Sequence, residues 1–510
     1  MKTDNGESVS VWMATPDTRV DGPLTTNLDV DVCIVGAGLA GMTTAYLLSL
    51  EKQRVAILDD GPVAGGETCR TTAHLVNAPD AWFTEIERVH GKPAARVAAE
   101  SHTAAIDLIE EIIRREGIRC GFQRLDGYLF SEPGDSPEPL ERELQATHAA
   151  GLSEVELVNR VPVDSFETGA ALRFPRQGQF HVLQYVKGLV RAIRRNGGTI
   201  HTRTHADAID GLTDTNALIR TTGGAAVRAR AVVVATNSPV NDRVVIHTKQ
   251  APYRTYVIGA RVRRGAVPPF LLWDTADPYH YVRLQPVNRT HDLLIVGGED
   301  HKTGQADDMG NRYRRLEKWM RARFPSARKV EFRWSGQVME PVDGLAFIGP
   351  NPLDKRSVFV ATGFSGTGMT YGTIAGMLLT DLIQGRGNEW AALYDPSRKS
   401  VGAVQEFTQE NVNVAAQYAD LVTTGEVEST RNIKKGRGSI VRRGLTKSAV
   451  YRNDDGVLEE HSAICPHLDC VVRWNPGEKT WDCPCHGSRY HRDGHVVNGP
   501  ANRGLADVEE

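Results

Sequence analysis

The sequence predicts a mixed α/β and α+β chain that ends in a small all-β domain. Near the N-terminus a glycine-rich turn joins a β-branched strand to an apolar helix, which is typical of an α/β nucleotide-binding sheet. Residues 248–335 alternate apolar and polar side chains in short runs, which predicts a half-exposed sheet. Two short boxes of cysteine and histidine in the last fifth of the chain indicate loops that bind a metal centre.

The overall composition is that of an ordinary globular protein. At 510 residues, with 40% hydrophobic and 24% charged residues, the chain can form two or three domains with sizeable cores. The formal charge of −3 gives no electrostatic reason to expect nucleic acid or an anionic membrane as a partner. Residues 1–11 lack the apolar core of a signal peptide, and glycines interrupt the uncharged runs 32–50 and 357–380. We therefore expect a cytoplasmic protein with no membrane span.

The N-terminal motif is a dinucleotide fingerprint in its usual context. A predicted strand over 29–35 runs into the Gly-x-Gly-x-x-Gly sequence formed by Gly36, Gly38 and Gly41, and an apolar helix follows. A second strand ends at Asp59, which lies 23 positions after Gly36. The glycines permit a tight turn and close approach of a pyrophosphate, and Asp59 can bind ribose hydroxyls. This predicts a Rossmann-like unit, but FAD and NAD share the fingerprint.

Further stretches favour FAD. They are Gly65 to His74, the strand Ala231 to Val234, Trp334-x-Gly336, Asp343-Gly344 with Ile348-Gly349, and the strand 358–362 that leads into a glycine-rich turn. In this order, over residues 28–395, they resemble the D-amino-acid oxidase, glycine oxidase and sarcosine oxidase family. The resemblance implies FAD contacts from Arg70, Thr71, Thr72, Gly363, Phe364, Gly366, Gly368 and Met369. Arg70 stands where some relatives carry the histidine that attaches flavin, so we expect non-covalent FAD.

The resemblance also implies an antiparallel substrate domain interleaved with the FAD domain. We expect an oxidoreductase over 1–400, a helical linker over 401–425 and, over 426–510, a domain that carries the cysteine and histidine boxes. The predicted FAD segments are 28–80, 180–247 and 336–395, and the predicted substrate segments are 81–179 and 248–335.

Candidate substrate contacts lie on the predicted sheet. Aromatic and basic residues recur there: Tyr253, Arg254, Tyr256, Trp273, Tyr279, His280, Tyr281 and Arg283. Arg254 or Arg283 can anchor a carboxylate through a bidentate pair. Each of these side chains also has an ordinary interpretation, because alternating aromatics are usually core and arginines usually face solvent. Of this set we single out Arg254, Tyr256, Tyr281 and Arg283.

The C-terminal boxes have the composition of a mixed-ligand iron–sulfur site. Cys465 and Cys483 are assigned to one iron of a [2Fe–2S] cluster, and His467 and His486 to the other. Structural zinc is the alternative, because cysteine and histidine at short spacing also suit tetrahedral zinc.

The residues around these ligands resemble the Rieske family. The resemblance implies a disulfide between Cys470 and Cys485, and it implies hydroxyl hydrogen bonds from Ser488 and Tyr490 to cluster or ligand sulfur. Such bonds raise the reduction potential, whereas the acidic Asp469 nearby would lower it.

A flavin fused to a one-electron centre predicts a dehydrogenase, and the resemblance to the D-amino-acid oxidase family implies that it oxidises an amine or amino-acid C–N bond. The Rieske cluster would then pass electrons to a one-electron acceptor protein or a quinone. One alternative is an electron-transfer reductase fed by a nicotinamide cofactor, although no second fingerprint occurs between 100 and 340. A flavin hydroxylase and a redox-sensing module without turnover are further alternatives.

Overall fold

The computed structural model describes residues 5–14, 22–241, 245–399 and 401–508. Two large sheets carry the first four-fifths of the chain, and two small antiparallel sheets form its C-terminal end. The predicted fold class is confirmed. None of the helices within the described residues is long and apolar enough to cross a membrane.

The first large sheet has a parallel centre. Its eight strands include a path of six, which runs across the sheet as Phe347–Pro350, Val358–Thr362, Ala226–Val234, Leu28–Val35, Val55–Leu58 and Thr199–His201. All of these strands except the first, Phe347–Pro350, run parallel to one another. The strand Asn216–Thr221 pairs antiparallel with Ala226–Val234, and Ala206–Thr213 pairs antiparallel with Asn216–Thr221. The central strand is buried from Val32 to Val35, as expected when helices cover a parallel sheet.

Four helices pack into one core with this sheet: Leu39–Leu50, Lys92–Glu116, Val182–Arg195 and Gly368–Ile383. The first and the last contact each other and are apolar along almost their whole length, because both lie inside the core. Their N-termini both follow a strand of the parallel sheet directly.

The second large sheet has nine strands and is almost wholly antiparallel. Eight follow each other across it as Val330–Pro341, Gln250–Arg263, His291–Lys302, His280–Pro286, Leu271–Asp274, Gln123–Phe130, Ala171–Gln179 and His74–Leu75, and Glu156–Val158 pairs with the seventh. The helix Met309–Arg323 packs on one face of this sheet and closes a second core. The helix Glu138–Ala149 contacts the strands Glu156–Val158 and Ala171–Gln179, and the helix Phe83–His90 packs against it. Residues Ala391–Tyr394 form a single helical turn.

The α-helix of the linker is shorter than the predicted helical range of 401–425. It covers Val404–Gln417 and continues as a 3-10 turn over Tyr418–Leu421. The helix buries no residue, so little packing energy extends it, and the Tyr418 hydroxyl instead donates a hydrogen bond to the Leu468 carbonyl.

The C-terminal domain consists of two small sheets. One contains Arg437–Arg443, Thr446–Arg452 and Leu458–Ser462, and the other contains Arg473–Asn475, Thr480–Asp482, Arg489–His491 and Val496–Asn498. The loops that hold the cysteine and histidine boxes lie between these strands. They face the first 400 residues of the chain.

Candidate functional site

A cavity of about 1130 Å³ lies where the parallel sheet, the antiparallel sheet and the C-terminal domain meet. Ten of the predicted FAD contacts line it: Gly36, Gly38, Asp59, Arg70, Thr71, Thr72, Phe364, Gly366, Gly368 and Met369. Gly41 and Gly363 do not line the cavity. A Cβ at Gly41 would strike the Gly36 carbonyl and the Ile34 side chain. Gly363 has a φ of +73°. Both glycines therefore shape the turns that line the cavity, although they do not line it themselves.

The glycine fingerprint leaves room for a ligand at a helix N-terminus. Gly36 has a φ of +107°, and a Cβ there would strike the Ala235 carbonyl. At Gly38, by contrast, a Cβ would meet only Thr68 Oγ1, at 3.3 Å. The cavity therefore approaches the backbone at Gly38, where the helix Leu39–Leu50 begins. A pyrophosphate fits such a position because the first amides of a helix attract anions.

Asp59 lies at the end of the second parallel strand and faces the same cavity. Its carboxylate accepts hydrogen bonds from the backbone N–H of Ala37 (2.6 Å) and of Gly61 (2.8 Å). Burial, together with the charge of Asp60, raises the pKa of Asp59 to about 7, although these two hydrogen bonds act in the opposite direction. The Asp59 carboxylate, held in place by these two backbone N–H groups, is suited to accept hydrogen bonds from ribose hydroxyls, so FAD fits the site.

Arg70 connects the cavity to the C-terminal domain. Its guanidinium donates to Ser8 Oγ (2.7 Å) and to the Ser335 carbonyl (2.8 Å), and it lies 3.5 Å from the Glu478 carboxylate. The side chain is 2% exposed. Arg70 is therefore held by an ionic contact between the two parts of the chain.

One end of the cavity is lined by residues of the antiparallel sheet. Of the eight candidate substrate contacts, Trp273, Tyr279 and Tyr281 line it, and the other five do not. Tyr281 Oη lies 2.8 Å from Thr255 Oγ1, and its ring packs edge-on against His74. Burial lowers the pKa of His74 to about 3, with a further contribution from the charge of Arg283, so this imidazole is neutral.

The two arginines considered as carboxylate anchors are fully buried away from the cavity. Arg254 faces the C-terminal domain, where it donates to Ser335 Oγ (2.7 Å) and lies within 4.0 Å of the carboxylates of Glu478 and Asp482. Arg283 donates to the carbonyls of Thr72 and Ala73 (2.9 and 2.8 Å).

Three other candidates are also directed elsewhere. Tyr256 bonds to His301 and His280 to Asp274, and Tyr253 lies 3.4 Å from Glu410 on the linker helix.

Three carboxyl groups that sequence reasoning missed lie at this end of the cavity. Asp80 and Asp300 line it, and Glu340 contacts the lining residue Ser365. They come from a loop and from two non-adjacent strands, so no local pattern connects them. We call Asp80, Asp300 and Glu340 the acidic wall.

The acidic wall holds its protons unusually tightly. Burial raises the pKa of Asp300 to about 7 and that of Glu340 to about 8, and in both cases the charge of Asp80 adds to the effect. The pKa of Asp80 is also raised by burial. Like charges held close together in a poorly solvated site favour the neutral form.

The cysteine and histidine boxes converge in the C-terminal domain. The side chains of Cys465 and Cys483 contact each other, and this contact, against the effect of burial, lowers the pKa of Cys465 to about 6. The rings of His467 and His486 meet edge-on with centroids 5.1 Å apart. Tyr490 Oη lies 3.0 Å from Cys465 Sγ, and Ser488 Oγ accepts a bond from the Ala501 amide. Two thiols and two imidazoles in one pocket fit a [2Fe–2S] cluster with mixed ligands.

Cys470 and Cys485 form a disulfide between the two loops, with Cα atoms 6.5 Å apart. Their sulfurs and that of Cys483 are also close enough to share a metal ion, but the disulfide removes two of these three ligands. The remaining thiols and the histidines are the set that the sequence assigns to the cluster.

The cluster loops rest directly on the residues that line the cavity. Gln337 lines the cavity, and its Nε2 donates to the carbonyl of Gly487, next to His486 (2.9 Å). Gly487 has a φ of +80°, and a Cβ there would lie 2.9 Å from that nitrogen. Sequence analysis missed this contact because it joins residues 150 positions apart.

His247 is a second contact between the two parts. It comes from a short 3-10 helix before the strand Gln250–Arg263, and it is 2% exposed. Its ring lies edge-on to those of His467 and His486, at 4.8 and 6.0 Å. His247 therefore covers the buried ring of His486, while His467 stays half-buried.

Residues 31–382 match the family model of the FAD dependent oxidoreductases (DAO), and residues 423–509 match the Rieske [2Fe-2S] domain. The Bacillus subtilis protein YhfW, whose name describes it as a Rieske 2Fe-2S iron-sulfur protein, is 30% identical over 98% of this chain and 97% of its own. Gamma-glutamylputrescine oxidoreductase of Escherichia coli is 27% identical over 72% of this chain and 87% of its own. The glycine oxidase structure from Geobacillus kaustophilus aligns with a TM-score of 0.60 at 20% identity, over 73% of this chain and 100% of that one.

Proposed function

Because the chain belongs to the family of FAD-dependent oxidoreductases and carries a C-terminal Rieske [2Fe–2S] domain, we propose that it dehydrogenates an amine or amino acid and delivers the electrons through the cluster to an external acceptor. Bound FAD takes up two electrons as hydride, and a Rieske cluster exchanges one at a time. In this proposal the FAD contacts are the ten cavity-lining residues described above. Cys465, His467, Cys483 and His486 hold the cluster.

The observation that carries the proposal is the contact between Gln337 and Gly487. A single hydrogen bond connects a residue lining the cavity to the loop that contains His486. The cavity is also closed by the C-terminal domain itself, since Asn498, Gly499 and Ala501 line it. Because the cavity and the cluster loops are in direct contact, electron transfer between them within one molecule is favoured over two independent functions.

The burial of His486 bears on where electrons leave. His486 is 4% exposed, and His247 packs on the rings of both His467 and His486. The exposed residues of the cluster loops are Pro466 and Asp469 instead. We place the docking site of a one-electron acceptor, a protein or a quinone, at this edge.

At the end of the cavity lined by the antiparallel sheet, the residues would position the substrate and exclude water, and no obligatory acid or base is required. Tyr279 and Tyr281 remain neutral hydroxyls, because burial raises the pKa of each phenol. They are therefore suited to orient an amine against the cofactor, and dehydrogenation requires little more than this.

The test is anaerobic mixing of the holoprotein with a panel of amines and amino acids. We expect at least one to bleach the flavin absorbance, and the cluster's electron paramagnetic resonance signal to appear in the same molecules without added mediator. NADH tests the alternative function, because NADH would bleach the flavin of an electron-transfer reductase. Rapid stoichiometric bleaching by NADH, with no response to any amine or amino acid, would overturn the proposal.

A further inference from the structure

The acidic wall has no cationic partner in the cavity. Among the described lining residues only Arg70 and Arg503 carry a permanent positive charge. Arg70 is already paired with Glu478, and Arg503 is an exposed residue of the C-terminal domain. Arg312 lies near Asp300, but its guanidinium is bound by Asp308 and by backbone carbonyls. The wall therefore has unused capacity to hold a positive charge.

The hydrogen bonds at the wall satisfy its oxygens only in part, although the Gly366 backbone N–H donates to Asp80 Oδ2 and the Thr255 hydroxyl bonds to Asp300. Ser365 Oγ lies 2.9 Å from Asp80 Oδ2 and 2.6 Å from Glu340 Oε2. A hydroxyl has one hydrogen, so it can donate to only one of these carboxylates at a time. Asp300 Oδ1 is shielded from solvent and has no hydrogen-bond partner among the described residues. A ligand with several N–H donors would satisfy these oxygens.

The wall does not have the form of a metal site. Among the described residues, the only three potential ligands within 4.8 Å of one another are Cys470, Cys483 and Cys485. The three carboxyl groups are thus too far apart to surround one ion. Tyr279 and Tyr281 stand beside them with their rings 5.6 Å apart, and aromatic faces attract organic cations.

We propose that the acidic wall holds the protonated distal amino group of an aliphatic diamine, and that the substrate is such a diamine rather than an α-amino acid. The inference rests on the proposed amine dehydrogenation and specifies its substrate class. The placement of Arg254 and Arg283 supports it, because neither lines the cavity to hold a carboxylate.

The reaction balances with the cofactor already assigned. The reacting nitrogen enters as the neutral amine, while the distal nitrogen stays protonated against the wall. The adjacent carbon loses hydride to oxidised FAD, the nitrogen loses a proton to solvent, and a C=N bond forms. Water then converts the imine into an aldehyde and ammonia.

The test compares three four-carbon compounds that differ only at the distal end: 1,4-diaminobutane, butylamine and 4-aminobutyrate. Calorimetry with the dithionite-reduced holoprotein measures binding without turnover. We expect 1,4-diaminobutane to bind at least about tenfold more tightly than the other two, as a charge-assisted hydrogen bond implies. Equal affinity for the three, or preference for 4-aminobutyrate, would overturn the inference.

Two isosteric variants locate the effect. Asp300→Asn and Glu340→Gln each remove one ionisable group at nearly constant shape, and we expect each to reduce the advantage of the diamine about tenfold. Asp164→Asn, an exposed residue that does not line the cavity, is the charge-matched control and should leave the affinity unchanged. Retained flavin absorbance shows that a variant is folded. If both wall variants bind the diamine as the wild type does, the wall is not the cation site.

Failure of this inference is distinguishable from failure of the proposed function. Bleaching by glycine, with reduction of the cluster but without binding of 1,4-diaminobutane, would leave amine dehydrogenation intact and remove the diamine. Binding of the diamine to the wall, combined with bleaching by NADH alone, would retain the cation site and remove the dehydrogenase.

Discussion

Gly38 is the residue at which cofactor binding can be separated from folding. Its φ is −71°, and an added Cβ would meet only one hydroxyl of the protein, so a side chain there intrudes mainly on the cavity. We expect Gly38→Val to fold and to keep the cluster's paramagnetic signal while losing FAD. Flavin released on heating measures the loss. Gly223→Val, where the nearest atom is 3.8 Å from the added Cβ, is the matched control and should retain FAD.

The acidic wall predicts how diamine binding depends on pH. The pKa values of Asp300 (about 7) and Glu340 (about 8) are raised, so both groups are mostly neutral at pH 6 and ionised at pH 9. A cation favours the ionised form and lowers these pKa values, so affinity should rise from pH 6 to pH 9, the range in which the distal ammonium keeps its proton.

Calorimetry in buffers of different ionisation enthalpy should detect protons released on binding near pH 7. The other titratable and charged groups that face the wall are Tyr253, Tyr279, Tyr281, Tyr371, Arg312 and Glu299, and burial keeps the four phenols neutral over this range. Asp300→Asn should reduce the pH dependence. An affinity that falls as pH rises would contradict this account.

At the scale of elements, the short turn between Arg473–Asn475 and Thr480–Asp482 holds the C-terminal domain on the rest of the chain. Its Glu478 carboxylate accepts hydrogen bonds from Ser8 and Ser335 and pairs with Arg70. Burial opposes ionisation, but the guanidinium groups of Arg70 and Arg254 keep the pKa of Glu478 below its usual value.

Glu478→Gln should therefore destabilise the docked domain strongly. Removing one partner from a buried ionic network costs about 3–5 kcal/mol, because the remaining charges stay buried without compensation. We expect a lower melting temperature and weaker FAD retention, both followed by flavin fluorescence on heating. Glu428→Gln, at an exposed position of the same domain, is the control. Unchanged melting of the Glu478 variant would show that this turn does not hold the domains together.

The same network explains which parts of the site the sequence could predict. Gly36, Gly38 and Asp59 were predictable because one continuous strand–turn–helix–strand segment brings all three to the same cavity. Arg254 gave no such signal, since the carboxylate it faces lies on Glu478, more than 200 positions later. An alternating strand pattern identifies a two-faced sheet, but it does not tell which face meets a cavity and which meets another domain. The acidic wall was missed for the same reason.

At the scale of the whole molecule, the contact between the FAD cavity and the cluster loops makes the order of electron flow testable. If the amine reduces the flavin first, Cys465→Ser should remove the cluster and leave anaerobic bleaching by substrate largely intact. Steady turnover with a one-electron acceptor should fall sharply in the same variant, because the exit for electrons is lost. Gly38→Val should lose both activities. Rapid-mixing absorbance measures the first step and acceptor reduction the second. If the serine variant transferred electrons to the acceptor as fast as the wild type, the cluster would lie outside the route, and the contact between Gln337 and Gly487 would be structural only.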